Sequence, residues 1–173
     1  MGLGTKSVHA GQEPAPSTGA VMTPVYQTST YAQAAPGDHK GHEYGRVTNP
    51  TRTALEGNLA ALESAQHGIC FSSGVAARDA IVKCLRPGDH IVASNDLYGG
   101  TYRLIRQVFG PFDISSDFVD MTDLDVVRNA IKPETKLLWI ETPTNPLVRV
   151  VDISALSKLA HEYDVVAVVD NTF

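Results

Sequence analysis

Four residues stand where a chain of alternating strands and helices would place its chemistry, just past the ends of strands. They are Gly74 in "SSGVAA", Tyr98 in "NDLYGG", Asn145 in "TPTNPL" and Asp170 in "VVAVVDNTF". Asp170 is the most demanding. Val165, Val166, Ala167, Val168 and Val169 before it read as a strand buried on both faces. A carboxylate at the tip of such a strand is costly unless a cation meets it. A flat ligand with a protonatable ring nitrogen would supply that cation; otherwise Asp170 or Asn171 caps the next segment.

Gly74, between Ser73 and Val75, opens a helix. The free N–H groups and the positive end of the dipole there favour an anion, and glycine lets a phosphate come close to the backbone. Taken alone, the same residues also make an ordinary strand-to-helix turn. Tyr98, with Gly99 and Gly100 beside it, either stacks on a flat ligand, worth about 0.5–1.5 kcal/mol beyond area burial, or covers the core as a rim residue. Asn145, between Pro143 and Pro146, is a donor and acceptor in a stiff loop or a plain turn asparagine. Upstream, Tyr44 and Arg46 in "EYGRVTNPTR" could hold a phosphate by a forked charge-assisted contact and a hydroxyl. The other reading of Arg46 is a solvated arginine on an arm. Phosphate, ring and ring cation together describe pyridoxal 5'-phosphate (PLP), with Asp170 keeping the pyridinium protonated so that the ring draws electrons.

These residues need a scaffold. Residues 1 to 50 are rich in proline and glycine with little periodicity and read as an extended N-terminal arm. From Asn49 the pattern changes. Asn49 and Pro50 suit the cap and first position of a helix, and Leu55, Leu59 and Leu62 follow at helical spacing. Beyond it, strands are expected at "HGICFS", "HIVASN", "ISSDFVD", "KLLWIET" and the closing valine run. Helices are expected at "GVAARDAIVKCL", from about Thr101 to Phe109, at "LDVVRNAI" and at "ISALSKLAHEY". This alternation predicts an α/β domain with a mostly parallel sheet covered on both faces. Ligands of such sheets bind beyond the carboxyl ends of the strands. No glycine fingerprint follows any strand, which disfavours a dinucleotide site.

Composition bounds the function. The 173 residues are 43% hydrophobic and 19% charged, with a net charge of -5, so neither nucleic acid nor an anionic membrane is an expected partner. There is no apolar leader and no run long enough to span a bilayer, so a cytoplasmic location is expected. Cys70 and Cys84 form no CxxC pair and read as reduced, buried thiols.

"YGRVTNPTR", "FSSGVAA", "NDLYGGTYRL", "ETPTNP" and "VVDNTF" occur in the order and spacing of the Cys/Met-metabolism PLP-dependent enzymes. From Val8 onward the chain resembles their cystathionine γ-synthase and cystathionine γ-lyase branch. The resemblance implies part of the large domain of the aspartate-aminotransferase-like fold (fold type I). Residues 1–50 would be the arm, and 51–173 the N-terminal part of the PLP-binding domain. It implies that Gly74 and Val75, with Ser73 beside them, bind the phosphate, and that Tyr98 stacks on the pyridine and assists proton transfer. Asn145 would lie near the ring hydroxyl and Asp170 would pair with the ring nitrogen. Tyr44 and Arg46 would reach the phosphate of a neighbouring subunit in a homotetramer built from dimers, and Arg103 would meet the substrate's side-chain end.

Val75 stands where the family more often has methionine, and Gly100 where methionine γ-lyases carry a cysteine. The implied reaction is γ-replacement or γ-elimination on an activated homoserine or cystathionine, of the cystathionine γ-synthase kind, with γ-lyase or O-acetylhomoserine sulfhydrylase chemistry as alternatives. The family's Schiff-base lysine comes in an "S-x-T-K" stretch that this sequence does not contain. An N-terminal fragment without activity is therefore expected, and a non-catalytic module that binds phosphate or a partner subunit is the rival of another class. A sheet cut short would leave an apolar edge and favour association.

Overall fold

The computed structural model describes residues 2–173. The chain forms two compact units that divide after Phe71.

The first unit holds two helices, α1 (Leu3–His9) and α2 (Pro50–Leu62). Asn49 caps α2 by accepting the Thr51 N–H, and Pro50 fills the first turn, where a missing N–H loses nothing. The stretch expected as an extended arm begins with the short helix α1. Its apolar spacing is weak, so tertiary bonds fix it: Lys6 Nζ donates to the Ala61 carbonyl at 3.2 Å, and Asn58 Nδ2 donates to the carbonyls of Lys6 and Ala10 at 3.1 and 2.8 Å. Gly11, at φ +70°, passes so close to Gly57 that a β-carbon would overlap its backbone. Between the helices the chain is irregular, with isolated bridges Thr30–Tyr44 and Ala35–Asp38. Among its described residues, Ala15 alone is a buried hydrophobic residue.

The second unit is a four-stranded parallel sheet in the order β2-β1-β3-β4. Its elements are α3 (Gly74–Val82), β1 (His90–Ser94), α4 (Gly99–Tyr102), β2 (Ser115–Val119), α5 (Leu124–Ala130), β3 (Thr135–Glu141), α6 (Ile153–Glu162) and β4 (Val166–Asp170). After α4 the helix continues as π-helix over Arg103–Phe109. The two-residue period of the strands sorts the core onto two faces. Val92, Leu138 and Ile140 pack with Val127 of α5 and Leu156, Leu159 and Ala160 of α6. Ile91, Ala93, Leu137 and Trp139 pack on the other face with Val82 of α3 and Ile105.

Three expectations are corrected. "HGICFS" forms no strand: it pairs with none of the four strands, and Ile69 is 72% exposed. The valine run does form β4, but at the edge of the sheet rather than buried on both faces, with Val166 60% and Val169 37% exposed. Hydrophobicity alone does not separate a central strand from an edge strand that awaits cover. The cysteines are free, but Cys84 is exposed just past α3 and Cys70 is only half-buried. No described helix is long and apolar enough to cross a membrane.

One buried titratable group ties β1 to its neighbours. His90 is fully enclosed, its Nδ1 2.8 Å from Thr135 Oγ1 and its Nε2 3.4 Å from Asp117 Oδ2. Burial pushes its pKa below the ordinary 6.5 and Lys132 pushes the same way, against the weaker pull of Asp117 and Glu134. The unfolded chain then takes the proton more readily than the folded one. His90's contribution is complete above pH 6.5 and lost as pH falls through the depressed folded value. Thermal melts between about pH 7.5 and about pH 5 should show a steeper fall for the natural chain than for His90→Gln. Equal slopes would contradict this account of His90.

Candidate cofactor site

The carboxyl ends of β1, β3 and β4 and the first turn of α3 close around one cavity of about 340 Å³. That is the size range of small-ligand sites. Its lining, all from the second unit, includes Ser73, Gly74, Val75, Tyr98, Asn145 and Asp170. Six of the residues singled out from the sequence are thus brought together. Arg103 does not line the cavity; it is exposed, with its guanidinium against Gly99. Tyr44 and Arg46 lie in the first unit, the Arg46 guanidinium 4.8 Å from the centre of the Tyr44 ring.

The first turn of α3 leaves backbone N–H groups free. Ser73 is the cap: its Oγ accepts the Ala76 N–H at 3.1 Å and its carbonyl the Ala77 N–H at 3.1 Å. The Gly74 and Val75 N–H groups have no hydrogen-bond partner among the described residues and face the cavity from the positive end of the helix. Tyr98 immediately precedes α4, its ring folded over Gly100, where any β-carbon would overlap it. Gly100 is therefore needed for the tyrosine to lie as it does.

Two residues that were not singled out complete the site. Glu141, 4% exposed at the end of β3, accepts the Tyr98 N–H on both carboxylate oxygens at 2.9 and 3.1 Å, and the Asn145 N–H at 3.1 Å. One carboxylate thus holds both the tyrosine and the asparagine loops. Burial raises its pKa above the ordinary 4.5 and the Asp170 charge adds to this, while the two N–H bonds and Arg78 oppose it. The argument made for Asp170, a carboxylate ending an apolar strand, applies equally to "KLLWIET" and would have found Glu141. The ladder pairs the two residues directly, Glu141 opposite Asp170.

The second is Arg78. It lies one helical turn after Gly74, so its side chain returns over that first turn. Its Nε donates to Asp170 Oδ2 at 2.9 Å and its Nη2 stands 2.7 Å from the same oxygen, the two side chains being 11% and 8% exposed. Its Cζ lies 5.1 Å from the centre of the Tyr98 ring. Thr172 Oγ1 donates to Asp170 Oδ1 at 2.5 Å. The strand-end carboxylate does meet a cation, as its burial demands, and within this chain that cation is an arginine.

Unpartnered amides for an anion, an aromatic face and a carboxylate that holds a flat cation suit PLP in kind. The comparisons agree. The chain matches the Cys/Met metabolism PLP-dependent enzyme family over residues 4–173 and belongs to it. A probable cystathionine γ-synthase of Herpetosiphon aurantiacus is 52% identical over 99% of this chain and 54% of its own length. A cystathionine β-lyase of Coxiella burnetii is 51% identical over 99% of this chain and 44% of its own. The crystal structure of metB from Corynebacterium glutamicum superposes with a TM-score of 0.96 at 50% identity, covering 100% of this chain and 46% of that one. The α/β fold with its parallel sheet is thus that of part of these enzymes, and the chain spans about half the length of the relatives it matches.

Proposed function

We propose that the whole protein is a PLP-dependent transsulfuration enzyme that replaces or eliminates the γ-substituent of an activated homoserine or of cystathionine, in the manner of a cystathionine γ-synthase. The observation that carries this reading is the convergence of the Gly74 and Val75 amides, the Tyr98 ring and the Asp170 carboxylate on one cavity. Relatives named as synthase and lyase at about half identity support it.

When bound, PLP supplies an electron-withdrawing pyridinium that stabilises negative charge at the substrate's α-carbon. The chain's own residues hold and tune it. Gly74 and Val75 donate their N–H groups to the phosphate, with Ser73 fixing the turn. Tyr98 presents its ring to the pyridine and assists proton transfer. Asn145 hydrogen-bonds beside the ring hydroxyl. Asp170 accepts the ring N–H and, by its charge, keeps that proton in place. Tyr44 and Arg46 complete the phosphate cup of a neighbouring subunit in a homotetramer, and Arg103 meets the far end of the amino-acid substrate. The setting proposed is cytoplasmic.

The 173 residues alone carry no lysine at the cavity; Lys6, Lys40, Lys83, Lys132, Lys136 and Lys158 all lie outside its lining. This favours a non-catalytic binding unit as the reading for the isolated chain, which should show no turnover. Gly100 in place of a cysteine sets it apart from enzymes that consume methionine. The test is to give the whole protein an activated homoserine and cysteine and to follow products. Cystathionine formation is expected of a synthase. Oxo acid and ammonia from cystathionine alone would identify a lyase, and no product from either would overturn the reading.

A further inference from the structure

Arg78 has no part in the reading above, yet it lines the same cavity. We propose that its guanidinium is a resident surrogate for the cofactor's ring, and that the two compete for the same partners. The inference rests on the PLP reading of this site.

A guanidinium and a protonated pyridine have much in common. Both are flat, delocalised cations with N–H donors at the edge and faces that lie on aromatic rings. Arg78 uses both properties here. Its edge holds Asp170 Oδ2 through Nε and Nη2 at 2.9 and 2.7 Å, and its centre stands 5.1 Å from that of the Tyr98 ring. Nη1 also comes within 3.4 Å of the point where a β-carbon on Gly74 would stand, so the side chain reaches back over the anion-binding turn. The carboxylate, the aromatic face and the glycine turn are the three features expected to receive PLP, and one arginine pairs with the first, lies over the second and reaches towards the third.

Asp170 offers its cavity-side oxygen to one flat cation at a time. Oδ2 accepts the Arg78 Nε–H at 2.9 Å with Nη2 2.7 Å away, and Oδ1 accepts the Thr172 hydroxyl at 2.5 Å. A ring nitrogen takes the place of the guanidinium on Oδ2, beside the Tyr98 ring, only when the arginine moves off it. The charges suit an exchange of cations. Glu141 and Asp170 sit side by side in the ladder, and a cation leaving Asp170 must be replaced for the carboxylate to stay ionised at low cost. Arg78 is long and lines the cavity itself, so rotation about its side-chain bonds can carry the guanidinium off Asp170 without backbone movement. The arginine thus keeps Asp170 paired and oriented until the ring replaces it, and it lowers apparent affinity by the fraction of time it holds the site.

The probe is 4'-deoxypyridoxine 5'-phosphate, which has the ring nitrogen and phosphate of PLP but no aldehyde. Its binding therefore needs no lysine and can be followed by its own fluorescence on the 173-residue chain. Arg78→Leu should bind it about tenfold more tightly than the natural chain, the gain expected if the open arrangement is about one-tenth populated. Arg78→Lys, which keeps the charge but loses the flat fork, should fall between them. Adding the probe to the natural chain should also move the Arg78 Nε–H NMR signal from its ion-paired position towards that of a solvated arginine, a readout that does not depend on any variant folding. Equal or weaker binding by Arg78→Leu, or an unmoved Nε–H signal at saturation, would overturn the competition while leaving the PLP site intact. Failure of the natural chain to bind the probe at all would overturn the site itself, and the surrogate with it.

Discussion

Asp170→Ala should lower the unfolding free energy by about 3–5 kcal/mol, because it leaves the Arg78 guanidinium buried without its counter-charge. The pair is nearly enclosed, at 11% and 8% exposure, and Asp170 accepts bonds from Arg78 Nε and Thr172 Oγ1. An exposed pair would contribute no more than about 1 kcal/mol, since solvent screens it. Denaturant titration distinguishes the two. The double variant Arg78→Leu, Asp170→Ala should be markedly more stable than the sum of the single losses implies, since it removes both charges together. Losses that simply add would show that the two side chains do not act as a unit. Asp170→Ala should also abolish binding of a pyridine phosphate, a consequence that a purely structural ion pair does not carry.

Glu141 should produce the other large effect. Glu141→Ala removes the acceptor of the Tyr98 and Asn145 N–H groups, and each unpaired, shielded N–H costs about 1–3 kcal/mol. A combined loss of about 2–5 kcal/mol is expected, with both loops freed. Glu141→Gln keeps an oxygen in the Oε1 position, which accepts both bonds, and so should lose far less. The pH dependence supplies the sign. Burial raises the folded pKa above the ordinary 4.5, so the native chain holds this proton more tightly than the unfolded chain. The stabilisation from protonation is therefore full below 4.5 and lost as pH rises through the folded value. Over that interval the natural chain should weaken relative to Glu141→Gln as pH rises, the reverse of the trend expected from His90. A Gln variant as damaged as the alanine one would show that the charge, not the acceptor, holds the loops.

What the residues disclosed and what they concealed follow from physical range. The ends of β1, β3 and β4 were legible because strand period and the glycine, tyrosine, asparagine and aspartate beyond each apolar run are local signals. The Asn49–Pro50 cap was legible for the same reason. Arg78 was not, because it serves the site from within a helix, and only the return of α3 over the strand ends brings it 92 residues along the chain to Asp170. The edge position of β4 and the missing strand at "HGICFS" depend on which strands are neighbours, and composition does not record that. Helix α1 rests on bonds to α2 more than 40 residues away, so its own seven residues give little sign of it.

The whole account hangs on one place taking one kind of guest. Amide NMR on the 173-residue chain titrated with 4'-deoxypyridoxine 5'-phosphate tests that most directly. The N–H signals of Gly74 and Val75 should move furthest, in saturable fashion, with those of Tyr98 and Asn145 following. Saturable shifts confined to some other surface, or none at all at millimolar probe, would mean that the glycine turn and the strand tips were never a cofactor cradle.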